Sequence, residues 1–60
     1  MITYFEIWGI GPKEETRFKI IEYEEKYWQR AIKKAFFLEN NGYTKIVIYE
    51  KIKQDRTKEV

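Results

Sequence analysis

The apolar pattern of this chain changes its period twice, and that change limits the folds open to it. Residues 2–8 (ITYFEIW) and 16–23 (TRFKIIEY) are rich in β-branched and aromatic residues, which is typical of strands. Helical spacing begins at Glu24, and residues 43–53 (YTKIVIYEKIK) alternate again as a third strand. We predict a single α+β domain of ββαβ order over residues 1–53, with a three-stranded antiparallel sheet in the order 2-1-3 and one helix on one face. A flexible polar tail is expected over 54–60.

The helix has a clear predicted end. Gly42 follows two asparagines at the place of a left-handed cap, and Tyr43 is placed to touch Leu38. A rival interpretation continues one helix from Pro12 to Asn41, since proline and acidic residues favour a helix start. That helix would be about 45 Å long, which is too long for a chain of 60 residues.

Alternation and helical spacing together predict the core. The helix stripe is expected to carry Trp28, Ala31, Ile32, Ala35 and Leu38, with Tyr27 and Phe36 at its edges. The sheet residues expected to meet it are Phe5, Ile7, Phe18, Ile20, Ile46 and Ile48. Because one helix covers only one face of a sheet, the other sheet face is expected to be open.

The composition excludes disulfides, the usual zinc sites and most kinds of catalytic residue. The chain has no cysteine and no histidine, so disulfides and the usual zinc sites are excluded, and the small core must be aromatic or be completed by self-association. Serine is absent as well, so the usual serine, cysteine and histidine nucleophiles and bases are missing. The adjacent carboxylates Glu14-Glu15 and Glu24-Glu25 would diverge on a helix or a strand, so neither pair is a natural acid/base pair. The segment Gly9-Ile10-Gly11 lacks the third glycine of a dinucleotide loop. We therefore expect a protein that is not an enzyme and that holds no cofactor or metal.

Glu6 and Glu50 each interrupt an apolar strand, and pairing with lysine or arginine, or a place at the sheet margin, explains them better than catalysis does. The outer helix face is the first candidate binding surface. It is basic, with one aromatic ring near its end, and consists of Lys26, Arg30, Lys33, Lys34 and Phe37. Phe37 would anchor a partner while the cations attract an acidic surface.

The open sheet face is the second candidate. It is expected to carry Tyr4, Trp8, Arg17, Lys19, Tyr23, Lys45, Tyr49 and Lys51, with Ile21 and Val47. So much apolar surface suggests a homodimer. Alternatively, its aromatic rings and cations would stack bases and track phosphates of a nucleic acid. A third interpretation is a nucleotide sponge, in which a tryptophan and an arginine hold a base and a phosphate.

These surfaces predict a small regulatory binding module, a homodimer that docks an acidic protein. A small inhibitor encoded by a virus or mobile element fits this description. No apolar run reaches the length of a membrane span, and no signal-peptide pattern opens the chain. We therefore expect a soluble protein of the cytoplasm, or of the host cytoplasm if the source is viral.

Overall fold

A computed structural model describes residues 1–54 and has the predicted ββαβ order. The elements are β1 (Ile2–Ile10), β2 (Phe18–Glu24), a 3₁₀ turn (Glu25–Tyr27), α1 (Trp28–Asn40) and β3 (Thr44–Lys53). The tail prediction falls on residues 55–60, which lie outside the described residues, and on Gln54, which is exposed.

The sheet has β1 at its centre, with β2 and β3 antiparallel on either side of it, as the sequence predicts. The Cα atoms span 45 × 24 × 11 Å, and the smallest dimension has room for one helix layer on one sheet layer. The rival long helix is wrong, because Phe18–Glu24 pairs with β1 as a strand.

The end of α1 is a Schellman motif. Gly42 has φ +93°, its N–H donates to the Glu39 carbonyl at 3.3 Å, and the N–H of Tyr43 donates to the Leu38 carbonyl at 3.0 Å. The ring of Tyr43 also packs against the core that contains Leu38. These bonds satisfy carbonyls that the helix leaves free, and they fix where β3 begins.

A β-bulge in β2 changes which side chains face the helix. Ile7 is opposite Ile21 and Trp8 is opposite Lys19, so Ile20 has no partner on β1. Both Ile20 and Ile21 pack against the core. The expectation that Ile21 and Tyr23 lie on the open sheet face is therefore wrong, since Tyr23 also packs against the core on the helix side.

The core is smaller than predicted. Ile7, Ala31 and Leu38 are buried, and Ile20, Ile21, Tyr23, Tyr43 and Ile46 pack around them. The helix meets the sheet through Ala31 and Leu38, whereas Trp28, Ile32 and Phe36 lie about 60 to 140° further round the helix.

Several expected core residues are therefore exposed in the single chain. Trp28, Ile32, Phe36 and Phe18 expose 50%, 40%, 63% and 38% of their surface, respectively. The expectation that Phe36 lies at the core margin is wrong, because it is more exposed than its neighbour Phe37 at 55%. Both adjacent rings are available for contacts outside the single chain.

Replacing Gly42 with alanine should destabilise the domain by about 1 to 2 kcal/mol, because an L residue is strained at positive φ. A Cβ there would also lie 3.3 Å from Cβ of Pro12. Urea unfolding followed by circular dichroism measures the change. Gly42→Asn is the matched control: it adds the same Cβ but tolerates the left-handed conformation, so it should cost less than Gly42→Ala. Equal losses would place the effect in the Pro12 contact instead.

Candidate functional site

The sheet face turned away from α1, which we call the open face, is built by alternate residues of all three strands. The strand pairing brings together Tyr4, Glu6, Trp8, Lys19, Glu22, Val47, Tyr49 and Lys51. Its aromatic rings are half-buried by their neighbours. This face is consequently less apolar in the structure than its number of rings would indicate.

Glu6 lies at the centre of the open face and is only 7% exposed. The indole N–H of Trp8 donates to its Oε1 at 2.9 Å, and the ammonium groups of Lys19 and Lys51 lie 3.6 and 3.9 Å from its carboxylate oxygens. The Trp8 hydrogen bond lowers the pKa of Glu6 most; burial opposes this, and Lys51 and Lys19 lower it further. Glu6 is therefore an ionised, paired carboxylate, as the sequence pattern suggests.

A second carboxylate extends this network along β2. Glu22 accepts a hydrogen bond from Lys19 at 3.1 Å and lies 3.6 Å from the ammonium of Lys53. The hydrogen bond to Glu22 is the main reason that the pKa of Lys19 is raised, with smaller contributions from Glu6. Three lysines of the open face thus share two carboxylates, which weakens their attraction for phosphate groups.

A shallow cleft of about 240 Å³ opens beside this network, lined by Trp8, Arg17, Tyr49 and Lys51. The Trp8 and Tyr49 rings meet edge to face, with centroids 6.3 Å apart at 83°. The Arg17 guanidinium lies 6.0 Å from the Tyr49 ring centroid. Arg17 has no carboxylate within ion-pair distance among residues 1–54. Such a cleft has the chemistry to hold a small planar anion.

The other predicted residues of this face do not line the cleft. Tyr23 is on the helix side of the sheet, and Lys45 adopts φ 56° where the pairing of β3 with β1 is irregular. Tyr4 stays on the open face, where the Lys53 ammonium lies 4.7 Å from its ring centroid. The cleft therefore collects Trp8, Arg17, Tyr49 and Lys51, and the ion network adds Lys19.

The outer face of α1 keeps its predicted chemistry. Phe37 is 55% exposed, and the ammonium of Lys34 lies 4.9 Å from its ring centroid. Lys33 and Arg30 are exposed on the same helix. Lys26 lies in the preceding 3₁₀ turn, 3.9 Å from a carboxylate oxygen of Glu24. We call these five predicted residues, Lys26, Arg30, Lys33, Lys34 and Phe37, the basic helix face.

Sequence reasoning missed two features of the helix. The sequence pattern places Tyr27 at the edge of the apolar stripe, but Arg30 and Lys26 lie 4.9 and 5.3 Å from its ring centroid, so it belongs beside the basic helix face. The spacing of three between Tyr27 and Arg30 is the signal that would have indicated this contact. The second feature is an apolar groove of about 240 Å³, lined by Phe5, Trp28, Ala31, Ile32 and Ile48.

The described residues hold no cluster of three or more acidic side chains placed to bind a metal ion, and no helix among them is long and apolar enough to cross a membrane. Comparison with known proteins found no matching family model, no matching curated protein and no matching solved structure. The function of this chain must therefore be inferred from its surfaces.

The Glu6 network predicts a specific pH dependence. Because the pKa of Glu6 is lowered by folding from its ordinary value of 4.5, its contribution to stability is complete above pH 4.5 and is lost as the pH falls through the lower, folded value. Glu6→Gln keeps an acceptor for Trp8 but removes the charge. In thermal unfolding from pH 7 to 3, the wild type should be more stable than Glu6→Gln at pH 7. This gap in stability between the two proteins should close below about pH 4.5.

A matched variant tests whether the Trp8 hydrogen bond causes the lowered pKa of Glu6. Trp8→Phe removes the indole donor and keeps a ring, so the folded pKa of Glu6 should lie closer to its ordinary value. In this background the stability lost on Glu6→Gln at pH 7 should be smaller than in the wild-type background, and the difference should finish closing at a higher pH. A gap that stays constant down to pH 3 would show that the charge of Glu6 contributes nothing to stability.

Proposed function

We propose that the chain is a non-enzymatic binding module that docks an acidic protein surface through its basic helix face. The observation that carries the proposal is the half-exposed Phe37 ring beside the ammonium of Lys34. An apolar ring surrounded by cations suits an apolar pocket with acidic residues at its rim. A small inhibitor or regulator, including one encoded by a virus or mobile element, acts by docking of this kind.

The spacing of this surface supports its use as one unit. Tyr27, Arg30, Lys34 and Phe37 follow one another at intervals of three, four and three residues, which places them along one side of the helix. Each ring has a cation within 5 Å of its centroid. These contacts restrict long side chains before a partner arrives, so less conformational entropy is lost on binding.

Three of the four cations of the basic helix face are available for a partner, while Lys26 lies 3.9 Å from a carboxylate oxygen of Glu24. Among residues 1–54, Arg30, Lys33 and Lys34 have no carboxylate within 4 Å, whereas three lysines of the open face are paired with Glu6 or Glu22. Free cations speed the approach of an acidic surface and select against a basic one. The paired lysines contribute less to such attraction.

An acidic protein fits these features better than a nucleic acid does. Nucleic-acid binders usually combine a broad positive field with rings on which bases stack. Here the formal net charge is only +2. The rings of the open face also stand among paired lysines. Nucleic-acid binding is therefore the alternative function, and the crosslinking experiment described next distinguishes it from protein binding.

Photo-crosslinking from position 37 tests the proposal. With p-benzoylphenylalanine in place of Phe37, crosslinks formed in cells should join the chain to an acidic segment of another protein. Arg30→Glu should abolish them by repulsion, while Lys13→Glu, the same charge change on an exposed loop residue, should leave them intact. Against the purified partner, Phe37→Ala should raise Kd by about 30-fold or more.

Two results would contradict the proposal. Crosslinks that persist unchanged in Arg30→Glu would mean that the cations play no part. Crosslinks to nucleic acid would favour the alternative function, and affinity for an oligonucleotide should then fall steeply between about 50 and 200 mM salt.

A further inference from the structure

The apolar groove lies between α1 and β3 and is open to solvent in the single chain. Its lining comes from Phe5 and Ile48 on the sheet and from Trp28, Ala31 and Ile32 on the helix. No charged side chain contributes to that lining. The groove has room for about one aromatic side chain of another molecule.

An exposed apolar ridge runs beside the groove along α1. Trp28, Ile32 and Phe36 are four residues apart and therefore lie on one side of the helix, exposed by 50%, 40% and 63%. Across the groove, Ile48 and Ile52 face the same side of β3 and are 37% and 60% exposed, with the exposed Glu50 between them on that side. Trp28 and Ile32 belong to both the ridge and the groove lining, so ridge and groove adjoin each other.

We infer that this surface is the interface of a homodimer in which the Phe36 ring of each copy enters the groove of the other. A two-fold axis brings the same patch of both copies together, so one patch must contain both the projecting group and the cavity that receives it. This patch contains both, with Phe36 on the ridge beside the groove at Ile32.

The area of the patch is consistent with a stable dimer. Its five apolar side chains, Trp28, Ile32, Phe36, Ile48 and Ile52, together expose on the order of 500 Å² per copy, near the upper end for the largest patch of a monomer. A standard interface buries roughly 800 Å² per partner, so these side chains would form the larger part of one. Obligate homodimer interfaces are also apolar at their centre, as the lining of the groove is.

A second copy explains this surface better than the acidic partner does. The lining of the groove offers no cation to an acidic surface. Only three hydrophobic residues among residues 1–54 are buried in the single chain, so pairing would supply the burial that so small a domain lacks. The open face is a weaker dimer interface, because pairing there would desolvate the Glu6 and Glu22 ion pairs.

Light scattering of the full chain from about 1 μM to 1 mM tests the inference. The wild type should have twice the 7.5 kDa mass of one chain. Phe36→Glu places a charge in the groove and should raise the dimer Kd by about 30-fold or more. Phe37→Glu is the matched control, since it makes the same change one residue further along, at similar exposure, and should leave the dimer intact.

A second position guards against a folding defect in Phe36→Glu. Ile52→Lys places a charge at an exposed strand position beside the groove and should weaken the dimer as well, with the circular dichroism spectrum unchanged. A wild type that stays at 7.5 kDa throughout, or a dimer that Phe37→Glu breaks and Phe36→Glu does not, overturns the inference.

The dimer and the proposed function use different sides of α1 and can fail independently of each other. A photo-crosslinker at position 36 should join two copies of the chain, through Phe5 or Ile48 of the second copy. Crosslinks from position 36 to a different protein would overturn the dimer, whereas crosslinks from position 37 test the basic helix face alone.

Discussion

The rest of the structure depends on how much of the sheet one short helix can cover. The thirteen residues of α1 extend about 20 Å, whereas the ten residues of β3 extend about 33 Å. The Schellman motif joins the helix end to the start of β3, and this places Leu38 beside Tyr43 and Ile46 in the core. Coverage is therefore good at that end and incomplete toward Ile52 on the helix side of β3, which is 60% exposed.

Incomplete coverage reverses the expected character of the two sheet faces. Alternation alone makes the open face the one that needs a partner, but the buried Glu6 and its neighbouring lysines give it a polar surface that water solvates well. The helix side, which should be the closed one, retains the apolar groove and ridge. The surface most in need of burial is thus beside the helix rather than behind the sheet.

The order of elements and the sheet topology could be predicted from the sequence, because each depends on local periods and on one glycine cap. Side-chain direction in β2 could not, because strict alternation places Tyr23 on the open face and the bulge at Ile20 reverses it. The adjacent Ile20 and Ile21 are the only local sign of that bulge. The start of α1 was also missed, since the 3₁₀ turn carries the same apolar spacing as the helix.

The basic helix face could be predicted as a set of neighbours because it depends on helical spacing alone. The exposure of Trp28, Ile32 and Phe36 could not, because a hydrophobic stripe of the usual width admits several rotations of the helix about its axis. In this chain Ala31 and Leu38 face the sheet, and small Ala31 permits the close approach that excludes the larger residues from the contact.

Phe36 and Phe37 owe their separate surroundings to that rotation. Adjacent residues on a helix point about 100° apart, so two neighbouring rings serve different surfaces. Neither ring is needed in the core of the single chain, since both are more than half exposed. Phe37 lies beside the ammonium of Lys34, and Phe36 lies one helical turn beyond Ile32, which lines the apolar groove. If each ring has its own partner, one helix separates self-association from recognition, and the dimer would present two basic helix faces to its targets.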